Sequence, residues 1–503
     1  MRFALAIGCL FGAVALRAQA FNVVNLPANN SSSRGVSVRE VPDGYMVFSE
    51  KFDADLQYRA HVELHGMDGE LIWEHALVDA SPSAFGYTDP VSPTLAQGGW
   101  VASVALNSPV GMTWRGYRFD ANGDTLWTTS LLNGSLLYPR AAAYLDGAYY
   151  FSCLYKQLPT DTLKGVIART DEMGTVDRMV DLVGIQYDVL SLHAGMGGDL
   201  WLTAGKSGNL YPYRSVVMRM DSGLNVLWSR DILNGVPGYY GYSSYVSKVA
   251  PDAEGNILVA GTCYNEFIPS GSPQAEFYIV KLSRADGSVM WSRRYPVSMS
   301  EFGDLQDLEV LPDGELVSCG NVTPHDAAGF RGCIYRYTPD GEERWHRYYR
   351  FLTNPDAFND LTDIQPTADG GFVLTGTTRL SFQFPTVLWL LRLDEHGCVE
   401  PGCQSVGVDE MLVGLSEDAM RCGPVPTTDL LKVSIGLPEH VGPIVGLRLM
   451  VTDPLGREVH VQRLSDQREQ NVVLRAGQWG AGAYVVHLAD STRLLTSKKI
   501  IVQ

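Results

Sequence analysis

One short motif recurs along the chain and constrains its fold more than any other feature. Its clearest copies are Met67–Trp73 (MDGELIW), Ala285–Trp291 (ADGSVMW) and Pro339–Trp345 (PDGEERW). An Asp-Gly turn between two apolar runs is a strong short-range signal for a β-hairpin, and a Trp four residues after the Gly anchors the returning strand. The motif therefore predicts one hairpin at each place where it occurs.

The spacing of these turns predicts the architecture. The turn glycines are Gly69, Gly123, Gly174, Gly223, Gly287, Gly341 and Gly397. They lie 49 to 64 residues apart, and a second turn upstream of each gives every unit two hairpins and so four strands. A period near 50 residues with four strands per unit is typical of propeller blades. We predict an all-β fold, with a seven-bladed β-propeller over residues 21–403.

The seventh unit lacks its fourth strand. After Gly397, the segment Cys398–Cys403 (CVEPGC) replaces the strand that carries Trp in other units. An open sheet edge would leave backbone groups unpaired. We therefore expect residues 21–26 (FNVVNL) to supply the missing strand and close the last blade.

The N-terminus predicts export. Residues 1–20 have the pattern of a signal peptide, with Arg2, an apolar run from Phe3 to Leu16, and the cleavage signal Ala18-Gln19-Ala20. An exporting route favours disulfides. The candidate pairs are Cys398 with Cys403 and Cys319 with Cys333.

Charge and hydropathy exclude several partners. No apolar run after the leader reaches the length that a membrane helix needs, so we expect no membrane-spanning segment. The formal net charge is −17. Such a surface repels phosphate backbones, so we expect no nucleic-acid partner.

The last part of the chain has a different character. Residues 404–428 are predicted to be a linker, and short apolar runs over 429–503 predict a small Ig-like β-sandwich. Four pieces, Pro424–Val433, Val451–Val459, Trp479–Val486 and Lys498–Gln503, together resemble the type A C-terminal sorting domain of the type IX (Por) secretion system. The resemblance implies that residues 429–503 engage the type IX machinery. It also implies a secreted or cell-surface-attached product that passes through the periplasm.

Propeller topology sorts the loops into two faces. The short turns share one face, and the longer loops that follow the second and fourth strands share the other, where we expect function. The ligand-binding candidates there are Tyr239, Tyr240, Tyr242, Tyr245, Tyr211 and Tyr213. They are an aromatic platform for a sugar or peptide in one interpretation, and filling between blades in the other.

Metal and cofactor signals are sparse. His61, Glu63 and His65 fall on one face of a predicted strand and could bind zinc. A polar stripe facing solvent is the alternative. No phosphate loop, nucleophile elbow or H-E-x-x-H motif occurs, so no cofactor is predicted.

Two further sets of charged residues have open interpretations. Six units place a basic residue near the end of the third strand: Arg118, Arg169, Arg219, Lys281, Arg336 and Arg392. They form either a ring of cations for an anionic ligand or a repeated ion pair. The acid pairs Asp304 with Asp307 and Asp356 with Asp360 lie on predicted loops, and nothing in the sequence assigns them opposite pKa values.

Three functions fit these patterns. The leading hypothesis is a non-catalytic exported propeller that binds a glycan, a peptide or an envelope component on its loop-rich face. The competing class is a secreted hydrolase or lyase with its site at the mouth of the channel, for which no catalytic motif gives positive support. The third is a structural envelope protein without a small ligand.

Overall fold

The structure is a computed structural model, and nearly all of the part it describes is β-strand. It describes residues 20–25, 32–52, 58–76, 84–85, 99–108, 111–134, 136–156, 163–182, 187–206, 215–232, 242–265, 274–296, 303–323, 329–352, 356–381, 385–399, 403, 419–437, 447–453, 458–465, 467–489 and 494–503. Within these ranges, no helix combines the length and apolar character needed to cross a membrane.

The first 28 strands form the large domain. In chain order they are β1 Phe21–Asn25, β2 Ser32–Val41, β3 Gly44–Phe52, β4 Tyr58–His65, β5 Leu71–Ala76, β6 Ala84–Phe85, β7 Trp100–Ser108, β8 Gly111–Phe119, β9 Thr125–Gly134, β10 Leu136–Leu145, β11 Ala148–Lys156, β12 Leu163–Thr170, β13 Val176–Asp181, β14 Tyr187–Ala194, β15 Asp199–Lys206, β16 Ser215–Asp221, β17 Val226–Asp231, β18 Tyr242–Pro251, β19 Ile257–Asn265, β20 Gln274–Leu282, β21 Val289–Pro296, β22 Gly303–Val310, β23 Leu316–Val322, β24 Arg331–Tyr337, β25 Glu343–Tyr349, β26 Phe358–Pro366, β27 Phe372–Arg379 and β28 Val387–Leu393.

These strands confirm the predicted seven-bladed propeller. In the described ranges they make seven four-stranded antiparallel sheets, which we call blades 1 to 7 in chain order from β2. The second strands, such as β11 and β23, are buried on both faces, because neighbouring blades cover each sheet on either side. The outermost strands, such as β5 and β17, are mostly exposed, since they form the rim.

Blade 7 takes its outer strand from the start of the described chain. β1 lies antiparallel to β28, with Phe21 opposite Arg392 and Asn25 opposite Leu388. The blade therefore contains β26, β27 and β28 from one end of the domain and β1 from the other. Residue 26, the last of the segment expected here, lies outside the described residues.

The hydrophobic core of the propeller is divided among the contacts between blades. The described residues form one buried apolar cluster between each pair of successive blades. The cluster between blades 3 and 4 has 15 buried residues, whereas the cluster between blades 7 and 1 has seven. We call the contact between blades 7 and 1 the seam. It has less apolar packing than the contact between blades 3 and 4.

Hydrogen bonds reinforce the seam. The Oγ of Ser33 accepts the backbone N–H of Leu388 at 2.8 Å, and the Thr362 hydroxyl donates to the Gly35 carbonyl at 2.9 Å. The buried Arg392 donates from Nε to the Tyr45 hydroxyl at 3.0 Å. Because these bonds join strands from the two ends of the domain, they hold the ring closed.

The recurring Gly–Trp motif packs most blades against the blade that precedes them. A Cβ added at Gly123 of blade 2 would lie 2.5 Å from Cη2 of Trp73 in blade 1. The turn glycines of blades 3, 5, 6 and 7 contact the Trp of the preceding blade in the same way. At Gly69 of blade 1 the neighbouring ring is Phe21 of β1, which takes the place of the missing Trp. The motif therefore marks the contacts between blades.

The C-terminal strands form a separate small β domain. They are β29 Met420–Gly423, β30 Leu430–Gly436, β31 Arg448–Thr452, β32 Glu458–Arg463, β33 Glu469–Arg475, β34 Gly482–Ala489 and β35 Leu494–Val502, with a short 3-10 helix at Ala476–Gln478. A three-stranded sheet, β29-β30-β33, and a four-stranded sheet, β32-β31-β34-β35, share one apolar cluster, as a sandwich requires.

One boundary of this domain differs from the sequence-based expectation. β29 lies inside the segment predicted as linker, 404–428, and it pairs with β30. Met420 is buried in the core of the small domain. A four-residue strand followed by two prolines has too weak a pattern to be distinguished from a linker.

One disulfide prediction is confirmed and the other is wrong. Cys398 and Cys403 form a disulfide, with their Cα atoms 5.6 Å apart. Cys319 and Cys333 are free and buried. Cys319 lies opposite Ile334 in the sheet, while Cys333 lies opposite Gly320. This offset of one residue sends the two side chains to opposite faces, into different clusters between blades.

Candidate functional site

A cavity lies at the seam between blades 7 and 1. Its volume is about 400 Å³. Among the described residues, those that line it come from these two blades: Ser32, Ser33, Arg34, Glu50, Phe358, Asp360, Thr377, Arg379 and Thr386. They lie at the start of the first strands, β2 and β26, at the end of the second strands, β3 and β27, and just before the third strand β28. This is the face that carries the longer loops. We call the cavity the seam pocket.

Three pairs of residues on adjacent strands build the seam pocket. Arg34 lies opposite Glu50 in blade 1. In blade 7, Phe358 lies opposite Arg379, and Asp360 lies opposite Thr377. Phe358 and Asp360 are two residues apart on β26, so their side chains leave the same face of the strand. The strand pairing within blade 1 and within blade 7 therefore positions these residues, and the contact between the two blades brings them together.

Burial raises the pKa of both carboxyl groups of the seam pocket. Burial raises the pKa of Glu50 to about 7, against the opposing charge of Arg34. Burial also raises the pKa of Asp360, against a hydrogen bond from Asn321 and the charge of Arg34. Near neutral pH Glu50 is thus divided between a carboxylate, which accepts hydrogen bonds, and a carboxylic acid, which can donate one.

The guanidinium group of Arg379 packs on an aromatic ring. Its Cζ lies 4.3 Å from the centre of the Phe358 ring. Phe330 stacks on the same ring, with centroids 4.2 Å apart and an interplanar angle of 20°. Two groups cannot share one face at these distances, so both faces of Phe358 are covered. The stack leaves Phe358 with no free face for a ligand and positions the guanidinium group of Arg379 against the ring.

Two buried polar atoms near the pocket have no hydrogen-bond partner among the described residues. They are Oγ1 of Thr377, which lines the cavity, and Oδ1 of Asn321. The residues are 9% and 6% exposed, and Asn321 donates from Nδ2 to Oδ1 of Asp360 at 2.8 Å. An unpaired buried polar atom costs free energy. A ligand in the pocket would supply a partner for Oγ1 of Thr377, which lines it.

A second charged cluster lies on the first strands of blades 5, 6, 7 and 1. Asp307 Oδ2 accepts the Ile364 N–H of blade 7 at 3.0 Å, and Asp363 Oδ2 accepts the Val38 N–H of blade 1 at 2.8 Å. Both aspartates follow β-bulges, which disrupt the regular ladder. Each carboxylate therefore joins one blade to the next through a backbone amide.

Two cations belong to this cluster, and the pKa values of Asp307 and Asp363 shift in opposite directions. Lys248 Nζ lies 3.0 Å from Asp307, and Arg39 lies 2.7 Å from Asp363. Burial raises the pKa of Asp307 to about 8. Although burial opposes it, the charges of Arg39 and Lys248 hold the pKa of Asp363 below its ordinary value. Asp307 and Asp363 are 1% and 2% exposed. The described contacts give this pair a role in linking blades 6, 7 and 1.

The tyrosine candidates cannot be placed as a platform. Tyr211, Tyr213, Tyr239 and Tyr240 lie outside the described residues, and Tyr242 and Tyr245 are described only as part of strand β18. The predicted aromatic platform therefore stays a prediction.

The zinc candidates are occupied by ion pairs within blade 1. Glu63 contacts the Ser49 hydroxyl and lies 3.2 Å from both Lys51 Nζ and His65 Nε2. His61 Nδ1 lies 2.5 Å from Glu74. Glu63 and His65 are buried, which differs from the solvent-facing stripe that was the alternative interpretation. Among the described residues, no group of three or more His, Cys, Asp or Glu side chains is placed to hold a metal ion.

The basic residues of the third strands form repeated local contacts. Arg219 pairs with Asp199 at 2.7 Å, and Lys281 pairs with Asp252 at 2.7 Å. Arg336 pairs with Glu315 at 2.7 Å. These carboxylates belong to the turn before the second strand or to that strand itself. The contacts agree with the repeated-ion-pair interpretation.

Sequence reasoning found one residue of the seam pocket. Asp360 stood out as half of an acid pair on a predicted loop. Arg34, Glu50, Thr377 and Arg379 were missed, although hairpin register would have paired them within each blade. What no local pattern contains is the contact of blade 7 with blade 1.

The fold defines the class of protein: a seven-bladed β-propeller followed by a small β domain. Residues 423–503 match the family model described as "Secretion system C-terminal sorting domain". The chain is thus a β-propeller that carries a type IX C-terminal sorting domain, which implies export to the cell surface or the medium.

Several solved structures are similar to this chain at low sequence identity. Pyrococcus horikoshii acylaminoacyl peptidase matches with 11% identity and a TM-score of 0.41, over 82% of this chain and 59% of the peptidase. The β-propeller domain of the Trilobed protease from Pyrococcus furiosus matches with 10% identity and a TM-score of 0.41, over 72% and 93% of the two chains. Penicillium chrysogenum α-L-arabinanase matches with 12% identity and a TM-score of 0.39, over 61% and 93%.

These similarities do not assign an activity. The chain spans 59% of the length of the peptidase, and scores this low carry no conclusion about chemistry. No curated protein matches the chain.

Proposed function

We propose that this exported propeller is a non-catalytic binding protein and that the seam pocket holds its ligand, a small polar molecule. The observation that carries the proposal is the cavity of about 400 Å³ with charged residues from two blades. Small-ligand sites are concave, mostly preformed and supplied with a few convergent polar groups. Two further observations support the same conclusion: the location on the loop-rich face, and the Thr377 hydroxyl, which has no hydrogen-bond partner among the described residues.

A secreted hydrolase or lyase is the second candidate. The pair Asp307 and Asp363 favours it, because carboxyl groups whose pKa values are driven apart are typical of acid–base catalysis. Against it stand the burial of both groups and the engagement of their oxygens with backbone amides and cations. A substrate would have to break these contacts between blades to reach them.

A thermal-shift screen of the full secreted protein tests the binding proposal. Glycans, peptides and envelope extracts are screened against the wild type, Arg379→Ala and Arg344→Ala. Arg344 is the matched control, since it is 52% exposed and lies on the outer strand of blade 6. We expect ligands that stabilise the wild type and the control but not Arg379→Ala. Hits that stabilise all three proteins equally would show that binding occurs outside the seam pocket.

A further inference from the structure

The dimensions of the seam pocket limit its ligand. A cavity of about 400 Å³ lies at the low end of the range for small-molecule sites, roughly 300–1,000 Å³. It encloses a small molecule or the end of a larger one. The described residues that line it come from two blades, so the shape of the site depends on the closed ring.

The donors of the pocket suit a carboxylate. Arg34 of blade 1 and Arg379 of blade 7 bring two guanidinium groups to one cavity. A guanidinium group is planar and matches the two oxygens of a carboxylate. The contact with Phe358 already places the Arg379 guanidinium group beside the cavity, which lowers the side-chain entropy lost when a ligand binds.

The other groups suit hydroxyls. Thr377 Oγ1 can donate to or accept from a hydroxyl, and Asp360 can accept from one. Both faces of Phe358 are covered, so a sugar ring cannot stack on it. Recognition in this pocket therefore depends on hydrogen bonds and charge, and a ligand with a carboxylate beside several hydroxyls satisfies both sets.

We propose that the seam pocket binds an acidic sugar, with its carboxylate held by Arg379 and Arg34 and its hydroxyls held by Asp360 and Thr377. This inference rests on the proposed binding function and names its ligand class. An anionic ligand is compatible with Glu50 because that side chain can take up a proton as the ligand enters.

Calorimetry with the full secreted protein tests the ligand class. The probes are glucuronate and galacturonate, each compared with its neutral counterpart, glucose or galactose. A charge-assisted pair is worth enough for a preference of about tenfold or more for the acids. Arg379→Gln should remove this preference, while the control Arg344→Gln should keep it.

The pH dependence supplies an independent readout. Among the described residues of the pocket lining, the charged groups that accompany Glu50 are Arg34 on β2 and, across the seam, Asp360 and Arg379. The residue opposite Glu50 on β4 is Ala60. An anion binds better when Glu50 is protonated. Affinity for the uronates should therefore rise as pH falls through about 7, where Glu50 titrates. Glu50→Gln, which mimics the protonated form, should bind with little pH dependence between pH 6 and 8.

Each contrary result has a distinct meaning. If neutral and acidic sugars bind with equal affinity and Arg379→Ala binds neither, the pocket is the binding site but its ligand is not an acidic sugar. If a short peptide with a free carboxylate binds and neither uronate does, the ligand is an anion but not a sugar. If the affinity for the uronates rises with pH, the proposal that the pocket binds an anion is wrong. If no probe binds and no hit from the screen responds to Arg379→Ala, both this inference and the proposed function fail.

Discussion

Replacing Gly123 with Ala tests whether the Gly–Trp contact holds the blades together. Gly123 has a φ of +83°, and a Cβ there would lie 2.5 Å from Cη2 of Trp73 in the preceding blade. Gly370 is a matched control. Its φ is +89°, but a Cβ there would find its nearest atom, in the Glu395 side chain, at 3.9 Å. The two substitutions thus share the backbone strain and differ in the clash with the ring.

The expected magnitudes follow from these two contributions. Left-handed backbone conformation costs an L-residue about 1–2 kcal/mol, and both variants incur this cost. Overpacking adds about 1–3 kcal/mol, which only Gly123→Ala incurs. We expect losses of about 1–2 kcal/mol for Gly370→Ala and about 2–5 kcal/mol for Gly123→Ala. With an unfolding entropy near 2.1 cal/mol/K per residue, a unit of roughly 380 residues loses about 1.2 °C in Tm per kcal/mol.

Denaturant unfolding of the two variants measures these losses, and a double-mutant cycle assigns their cause. In a Trp73→Ala background the ring is gone, so the additional cost of Gly123→Ala should fall to that of Gly370→Ala. Equal losses for the two single variants, or a cycle with no coupling between positions 73 and 123, would refute the packing role of the motif.

Three further predictions concern closure, pH and export. Phe21→Ala should cost about 3–5 kcal/mol in denaturant unfolding, because Phe21 is buried in the apolar cluster of the seam; a loss below about 1 kcal/mol would contradict its role in closure. Asp307→Asn should become more stable relative to the wild type as pH rises from about 4 to 8. Over that range the folded wild type keeps Asp307 protonated while the unfolded chain ionises it, and parallel stability curves would contradict the raised pKa. Deletion of residues 423–503 should leave the protein in the periplasm in a fractionation assay, and undiminished surface delivery would count against sorting by this domain.

Local pattern was sufficient to predict the blades. Each glycine turn specifies a hairpin through its own backbone conformation, and seven such turns, 49 to 64 residues apart, specify seven sheets. The identity of Phe21 as the substitute for a Trp was not predictable in this way. It depends on which ring lies against Gly69, and that is decided only when the chain closes.

The cysteines show the same limit at shorter range. Cys319 and Cys333 flank one hairpin, and their separation is compatible with pairing. Their register is offset by one residue, which sends them to opposite faces of the sheet. When the loop that connects two strands is long, a pattern of residue types does not determine which residues lie opposite each other, because several registers are compatible with the same loop.

The sequence by itself determined the all-β class, the number of blades, the absence of a fourth strand from the seventh unit and the sorting domain. Each of these depends on residues that are near one another in the chain. Only the tertiary structure decided where a ligand could bind. Arg34 and Glu50 lie more than 300 residues from Asp360 and Arg379, and they meet because the first and last blades are neighbours in a closed ring. The pocket is a consequence of that closure, and no local pattern of residues specifies it.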